Sequence, residues 1–532
     1  MTVKASVEDI QSAKRSQEAD RLARATALVA LGNISSRILG LVREIILSNI
    51  FGASLAVDAF KIATIVPRGL YDLLIGGHVN SALVPVLSEH AERHDEESLW
   101  QLVSALLNLV VIIMAILVIG IEVFAPWIIE VVASGEQSAQ ILEEATALLQ
   151  ITAPALLFLS LFAVLSSLLY ALRRFALPAL AASVFNLTIV LITLIFERQM
   201  GITAAAVGWL LGAILQMALQ WAGLRGTRIG FRLVFWHPAI RTVVLLYTPV
   251  MFSLALDVLI NRPFSYNLAT RAGEGSVSYM DWATTLMQFP HGLVATAISI
   301  AVLPTLSRQA YAPDNLDSFK DTLGLGLRLT LSLILPATLG LIVLANPVVR
   351  LIFEHGAFNA TDTAITAFAL RLYLVGLPFA SIDLLLVFAF YARQDTLTPA
   401  LIGLLSLLVY MITAIVLLPY YSFFALMIAD SMKHLIHAGV SGWLLARRMG
   451  GLGERSIWKT GIRASLAAVM MAIAGFVILQ FLESTFNSHN LIDELIVVIG
   501  AGGVSGLVYL GLAQLLGISE IQLFFRQLRQ RL

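Results

Sequence analysis

Long apolar runs broken by short polar stretches follow one another from about residue 25 to residue 516. They are apolar all round rather than alternating with period two, which predicts membrane-crossing helices and argues against barrel strands. A helix needs about 20 such residues to cross the hydrocarbon. Fourteen runs qualify, near 25–50, 56–87, 100–123, 144–172, 176–197, 203–224, 239–263, 276–304, 323–345, 364–392, 398–419, 423–446, 463–482 and 491–516. Several exceed the required length, so tilts and kinks are expected.

The charges between the runs orient them. With the N-terminus inside, the basic residues Arg173, Arg174, Arg225 to Arg241, Arg308 to Lys320, Arg393, Arg447 to Lys459, Arg526, Arg529 and Arg531 all fall in cytoplasmic loops or the tail. The opposite loops hold only Arg198, Arg271 and Arg350. That asymmetry follows the positive-inside rule, and it places both termini in the cytoplasm. Residues 1–24 read as a solvated or interfacial cytoplasmic segment, because no short apolar region with a cleavage site follows.

The chain also repeats. LVPVLS at 83–88 returns as VLPTLS at 302–307, and Pro126 returns as Pro347. Tyr170-Ala171 returns as Tyr391-Ala392, and Pro178-Ala179-Leu180 as Pro399-Ala400-Leu401, at an offset of 221. Six helices per repeat bring the chain back to the same side, so the repeats run parallel. The expected architecture is an all-α polytopic membrane protein of 14 transmembrane helices. It comprises an N-lobe over 25–224, a C-lobe over 239–446, two further helices over 463–516 and a tail over 517–532. Two six-helix lobes suit alternating access.

Composition narrows the classes. Of 532 residues, 58% are hydrophobic and 13% charged, against about 25% charged in soluble domains. Formal net charge is zero, so nothing favours nucleic acid, and the lack of cysteine excludes disulfides and thiolate metal sites. No HExxH, GxxxxGK[ST] or GxSxG motif occurs, so an enzyme is not expected, and neither is a cofactor or metal.

The charges inside the runs carry the functional signal, since each costs about 2.5–3.5 kcal/mol at mid-bilayer by insertion scales. In the first run Asn33, Ser36, Arg37, Gly40, Arg43 and Glu44 share one helical face. In the second, Asp58, Lys61, Arg68 and Asp72 share another, with Pro67, Gly69 and Gly76-Gly77 expected to interrupt the helix. The plain alternative is that Asp58–Lys61 and Arg68–Asp72 are local ion pairs. Further along, Asp257, Asn261, Arg262, Asp281, Asp383, Asp430, Lys433 and His434 lie within runs. Arg262 precedes Pro263, where it either joins the polar path or snorkels to the interface. Asp430 and His434 form either an interhelical hydrogen-bonded pair or a proton or cation relay. Asn33-Ile34-Ser35 and Asn359-Ala360-Thr361 match a glycosylation pattern by chance alone.

Several stretches resemble one family. SSRILGLVREIILSNIFGAS, VDAF and ALVPVLSEH are similar to the opening of the MurJ/MviN proteins, lipid II flippases of the multidrug/oligosaccharidyl-lipid/polysaccharide exporter superfamily. SVSYM, LMQFPHGLVATAISIAVLPTLS, LIFEHGAF and YARQDTLTPAL extend the resemblance over about 25–515. It implies two six-helix lobes plus two helices forming a lipid groove, and a cationic central cavity for the diphosphate and sugar-peptide head of lipid II. Arg37, Arg43 and Asp58 match essential or cavity positions of the family, and Glu44 stands for its usual aspartate. Tyr71 and Thr285 stand where two family arginines are expected, so Lys61, Arg68 and Arg262 become the replacement cations.

The implied function is export of lipid II, or a related undecaprenyl-diphosphate-linked glycan, to the outer leaflet of the bacterial inner membrane for peptidoglycan synthesis. The substrate-binding set is Arg37, Arg43, Glu44, Asp58, Lys61, Arg68 and Arg262. Candidate coupling or gating residues are Asp257, Asn261, Asp383 and Asp430. The partners expected are that lipid and the membrane lipids, with a monomeric chain. The alternatives are a flippase for another lipid-linked oligosaccharide and a cation-coupled small-molecule exporter.

Overall fold

In the computed structural model, the described residues are 28–74, 80–93, 96–133, 138–225, 232–310, 316–452, 454–486 and 490–522. Among them the regular structure is helical. Helix α1 covers 28–51. It is followed by α2 (Leu55–Leu74), α3 (Asn80–Arg93), α4 (Glu96–Val132), α5 (Ser138–Thr152), α6 (Ala155–Ala171), α7 (Ala176–Met200), α8 (Thr203–Gly223), α9 (Pro238–Ala255) and α10 (Arg262–Thr270). Next come α11 (Ser276–Pro290), α12 (Ala297–Ala310), α13 (Leu316–Val343), α14 (Ala345–Phe353), α15 (Ala360–Ala392), α16 (Leu397–Tyr421), α17 (Phe424–Met449), α18 (Glu454–Thr485) and α19 (Leu491–Leu515). Two π-helical turns, Leu256–Asn261 and His291–Thr296, join α9 to α10 and α11 to α12.

Ten helical stretches are long and apolar enough to cross a membrane. The chain is a multi-pass membrane protein. The other four expected runs correspond to α1, to α2 with α3, to α9 with α10, and to α17.

The chain divides into two compact units. One comprises Leu55–Asn267 with the residues up to Leu47; the other comprises Ser48–Ser54 and Leu268–Leu532.

In the first unit, small residues let α1 lie close on α7. A Cβ at Gly32 would run into the Ala179 carbonyl, and the Ser35 and Ser183 hydroxyls hydrogen-bond at 2.8 Å. Close approach by small residues is how helices pack tightly where lipid removes the hydrophobic drive between them. Helix α8 meets α7 the same way, through Gly208 and Gly212. In the second unit, a Cβ at Gly376 of α15 would stand 2.7 Å from Ser431 Cα of α17. The Asn359 side chain caps α15, accepting from the Thr361 and Asp362 amides, and Asp362 closes the capping box. This is the structural role of the second glycosylation-like tripeptide.

The backbone repeats across the two units. Arg173 and Gln394 both have φ of 59°. Their amides donate to Tyr170 O and Tyr391 O, and the next amides, Arg174 and Asp395, donate to Leu169 O and Phe390 O. Gly201 (φ 55°, ψ −139°) and Ser422 (φ 53°, ψ −147°) end α7 and α16 in the same unusual conformation. These pairs keep the offset read in the sequence. The charge at the first turn is swapped. Arg174 donates to Gly223 O and Arg225 O at the end of α8, whereas Asp395 accepts from Thr398 and from Arg448 at the end of α17.

One expectation is corrected. Helix α2 is not interrupted by Pro67 or Gly69: it is one α-helix from Leu55 to Leu74. Membrane helices tolerate proline when neighbours cover the freed carbonyl, and Gly69 serves packing, since its Cβ would stand 2.9 Å from Val258 Cγ1. Gly76-Gly77 lies outside the described residues. The run near 144–172 lies in one candidate span, Ala139–Ala171, which turns at Ala153-Pro154 between α5 and α6.

Candidate functional site

Within the first unit the charged faces of α1 and α2 meet. Glu44 is the hub. Its Oε1 accepts from Arg43 Nη2 at 2.7 Å and Nε at 3.2 Å, and its Oε2 accepts from Lys61 Nζ at 2.9 Å. Glu44 and Lys61 are 5% and 6% exposed, and Asp58, one turn before Lys61, is 1% exposed. Lys61 is thus joined to the other helix rather than only to its own.

Arg43 has its remaining donor group fixed as well. Nη1 donates to Asn186 Oδ1 of α7 at 3.0 Å, and the guanidinium lies 5.9 Å from the Trp209 ring of α8. Asn186 is itself held by donating to Ala182 O and Ser36 O. Phe60 and Phe185 meet the same indole edge-on. Removing one member of such a buried pair costs about 3–5 kcal/mol, because the partner stays charged. Counted formally, Arg43, Lys61 and Glu44 leave one positive charge.

Arg37 and Arg68 differ from these. Both are exposed, and neither makes a hydrogen bond or ion pair among the described residues. Arg37 lies about 9 Å along α1 from Arg43 at 1.5 Å per residue. The local pair Arg68–Asp72 does not form. Asp72 bonds Arg262 instead.

Arg262 sits between two carboxylates. Its Nη1 donates to Asp72 Oδ2 at 3.1 Å and its Nε to Asp257 Oδ2 at 2.9 Å. Asn261 Nδ2 donates to the other Asp257 oxygen at 2.8 Å. The π-turn explains the geometry, because its i→i+5 hydrogen bond, from the Arg262 amide to Asp257 O, brings 257 and 262 together. Arg262 is therefore not a spare cation: the trio carries one formal negative charge. Tyr71 is partly buried beside Asp72, and Tyr247 Oη donates to Leu73 O, tying α9 to the end of α2.

The second unit holds a different cluster. Asp383 of α15 meets His437 Nδ1 of α17 at 2.5 Å, and Ser441 Oγ lies 3.4 Å from the same nitrogen. On α17, Asp430 accepts from Lys433 at 2.5 Å and stands 3.6 Å from His434 Nε2. The interhelical pair expected of Asp430 and His434 is instead Asp383 with His437. His437 escaped notice in the sequence because its partner is 54 residues away; its only trace is that His434, His437 and Ser441 share a face.

Elsewhere, Arg350 of α14 meets Glu483 and Glu494 at 3.2 and 3.6 Å, anchoring α18 and α19. An open pocket of about 610 Å³ in the second unit is lined by Arg271, Leu418 and Tyr420–Ser422, none of them a residue of the clusters above. Among the described residues no group of three or more His, Asp or Glu is arranged to hold a metal ion. Thr285 is partly buried in α11.

Against known proteins, the family model described as lipid II flippase MurJ matches residues 47–500. The chain is 31% identical over 411 residues to the lipid II flippase MurJ of Burkholderia cenocepacia, covering 75% of this chain and 78% of that one. It is 28% identical over 513 residues to the probable lipid II flippase MurJ of Vibrio cholerae, covering 94% and 97%. A solved structure of lipid II flippase MurJ in an inward closed conformation superposes with a TM-score of 0.76 at 27% identity, covering 94% of this chain and 99% of that chain. An inward-facing multidrug resistance MATE family transporter of the MOP superfamily gives 0.66 at 14% identity, covering 79% and 96%, which is a likeness of fold.

Proposed function

Because the chain belongs to the lipid II flippase MurJ family, transporters and not enzymes, we propose that it flips lipid II from the inner to the outer leaflet of the bacterial inner membrane. The observation that carries this reading is the division of labour among the cations of α1 and α2. Arg43 and Lys61 are held by Glu44, while Arg37 and Arg68 have no ion-pair partner among the described residues. A dianionic diphosphate needs donors that are present but not already neutralised, and the guanidinium fork is the side chain best shaped to phosphate.

In this reading Arg37 and Arg68 engage the diphosphate of the undecaprenyl-linked head in a cationic cavity. Arg43, Glu44, Lys61 and Asp58, two cations and two carboxylates, hold the two helices in register. Arg262, clamped by Asp72 and Asp257 with Asn261, serves gating rather than binding. Asp383 and Asp430 serve coupling. The transport cycle is alternating access by a monomer with fourteen spans, both termini cytoplasmic, lobes over 25–224 and 239–446 and a C-terminal pair over 463–516.

Complementation of a flippase-depleted strain tests the reading. Arg37→Ala is expected to abolish growth at normal protein levels; retained growth contradicts it. Tyr71 and Thr285, standing where the resemblance expects arginines, favour one second reading: a flippase for another lipid-linked oligosaccharide. Accumulation of inner-leaflet lipid II on depletion of the protein supports the first reading, and unchanged lipid II with a different trapped glycolipid supports the second.

A further inference from the structure

The Asp383–His437 pair differs from every other intramembrane carboxylate contact described above. Glu44 has Arg43 and Lys61, Asp72 and Asp257 share Arg262, and Asp430 has Lys433. Asp383 has no Lys or Arg partner among the described residues; its contact is a histidine. A carboxylate within a membrane helix is costly unless a cation or a proton compensates it, and here the compensating charge depends on whether the imidazole is protonated.

The geometry fixes where that proton goes. An ionised carboxylate only accepts, so His437 Nδ1 carries the hydrogen pointing at Asp383 Oδ1. The lone pair is then on Nε2. This nitrogen faces Gly403 of α16, where a Cβ would stand 3.8 Å away, so no α16 side chain covers it from that position. The two side chains keep 13% and 14% exposure, so the pair is reachable. Uptake of one proton at Nε2 converts a neutral imidazole beside a carboxylate into an imidazolium–carboxylate pair, and the pair's charge goes from minus one to zero.

The other titratable or charged groups around the pair are known. On α17 they are Asp430, Lys433 and His434, with Asp430 and Lys433 bound to each other. From α15 come Tyr391, in the field of Asp383, and Tyr373, in the fields of Asp430 and Asp281. From α16 comes Tyr410, under Lys433, and His291 of the second π-turn acts on His434. None of these gives Asp383 a permanent counter-cation. The pair bridges α15 and α17, which pack closely at Gly376 and Ser431. A change in its charge thus acts on a helix–helix contact, as histidine switches do.

We infer that the Asp383–His437 pair is a proton-binding site that couples lipid movement to the proton gradient. The inference rests on the flippase reading, and the test separates the two. Full-length protein is reconstituted in phosphatidylethanolamine–phosphatidylglycerol vesicles containing lipid II. Leaflet distribution and internal pH are then read under imposed pH gradients. For each proton moved per lipid, one pH unit should shift the steady-state leaflet distribution about tenfold, with the sign reversing when the gradient is reversed.

His437→Gln and Asp383→Asn should equilibrate lipid II down its own gradient yet show neither the shift nor coupled proton flux. An unchanged gradient response in both variants overturns the inference. Lipid II that stays put in the wild type under all gradients overturns the flippase reading instead. Proton binding is then judged on the purified protein by the Asp383 carboxylate infrared band. A band that moves with pH in the wild type and is fixed in His437→Gln supports the site; a band fixed in both overturns it.

Discussion

The charged cluster on α1 and α2 and the one on α15 and α17 are built from different chemistry for positions of similar burial. The first uses Arg43 and Lys61 around Glu44. Both cations are bound to the same carboxylate, so the cluster is a committed network that fixes α1 on α2. The second pairs Asp383 with His437, whose charge changes with one proton. One region is fitted to hold charge and the other to exchange it. The two repeats have kept their backbone turns while their polar residues have diverged.

Truncating each hub sharpens the contrast most. Glu44→Ala takes the shared carboxylate from buried Lys61 and partly buried Arg43 and is expected to cost about 3–5 kcal/mol, read as the unfolding midpoint in detergent. Asp383→Asn should cost only about 1 kcal/mol, because an amide oxygen still accepts from His437 Nδ1. Equal losses would break the comparison.

Packing should treat the two regions alike. Gly32→Val in α1 and Gly376→Val in α15 each force a side chain into a neighbouring backbone, and each should cost about 1–3 kcal/mol. Gly32→Val should also impair transport, since it displaces the helix that carries Arg37.

A smaller effect tests the repeat itself. Ser422 holds a conformation that its counterpart Gly201 adopts freely. Ser422→Gly should stabilise by up to about 1 kcal/mol by relieving that strain, and Gly201→Ala should destabilise by more than that. Thermal unfolding of the two variants gives the signs.

The smallest effect is at Asp395, in the turn before α16. Burial raises its pKa, but hydrogen bonds from Thr398 and Arg448, with the Arg448 charge, outweigh burial and hold it below the ordinary value of 3.8. A lowered folded pKa means that the contribution is present above the unfolded value and lost as pH falls through the folded one. Asp395→Asn should therefore remove about 0.5–1 kcal/mol at neutral pH and nothing in strong acid, measured by unfolding at several pH values.

Helices and in-run charges were legible because apolar periodicity and the cost of charge in lipid are local properties. Arg37, Arg43, Glu44, Asp58 and Lys61 were singled out on that ground. Their pairing was not legible, because it depends on how helices meet. Lys61 reaches back to Glu44, and Asp72 crosses to Arg262, 190 residues on. The π-turns that place Asp257 under Arg262 leave no periodic signature. Pro67 reads as a break from sequence but is absorbed into α2, since its neighbours decide whether a proline bends a helix.

The central claim is that uncommitted cations on α1 and α2 bind the diphosphate while the Glu44 cluster only positions them. The direct measurement is the affinity of the purified protein for lipid II, compared between the wild type and the Arg37→Ala, Arg68→Ala double variant. Loss of two charge-assisted contacts at about 1.5–3 kcal/mol each predicts a fall of at least about a hundredfold, with the unfolding midpoint unchanged. Unchanged affinity in the folded double variant would contradict the account.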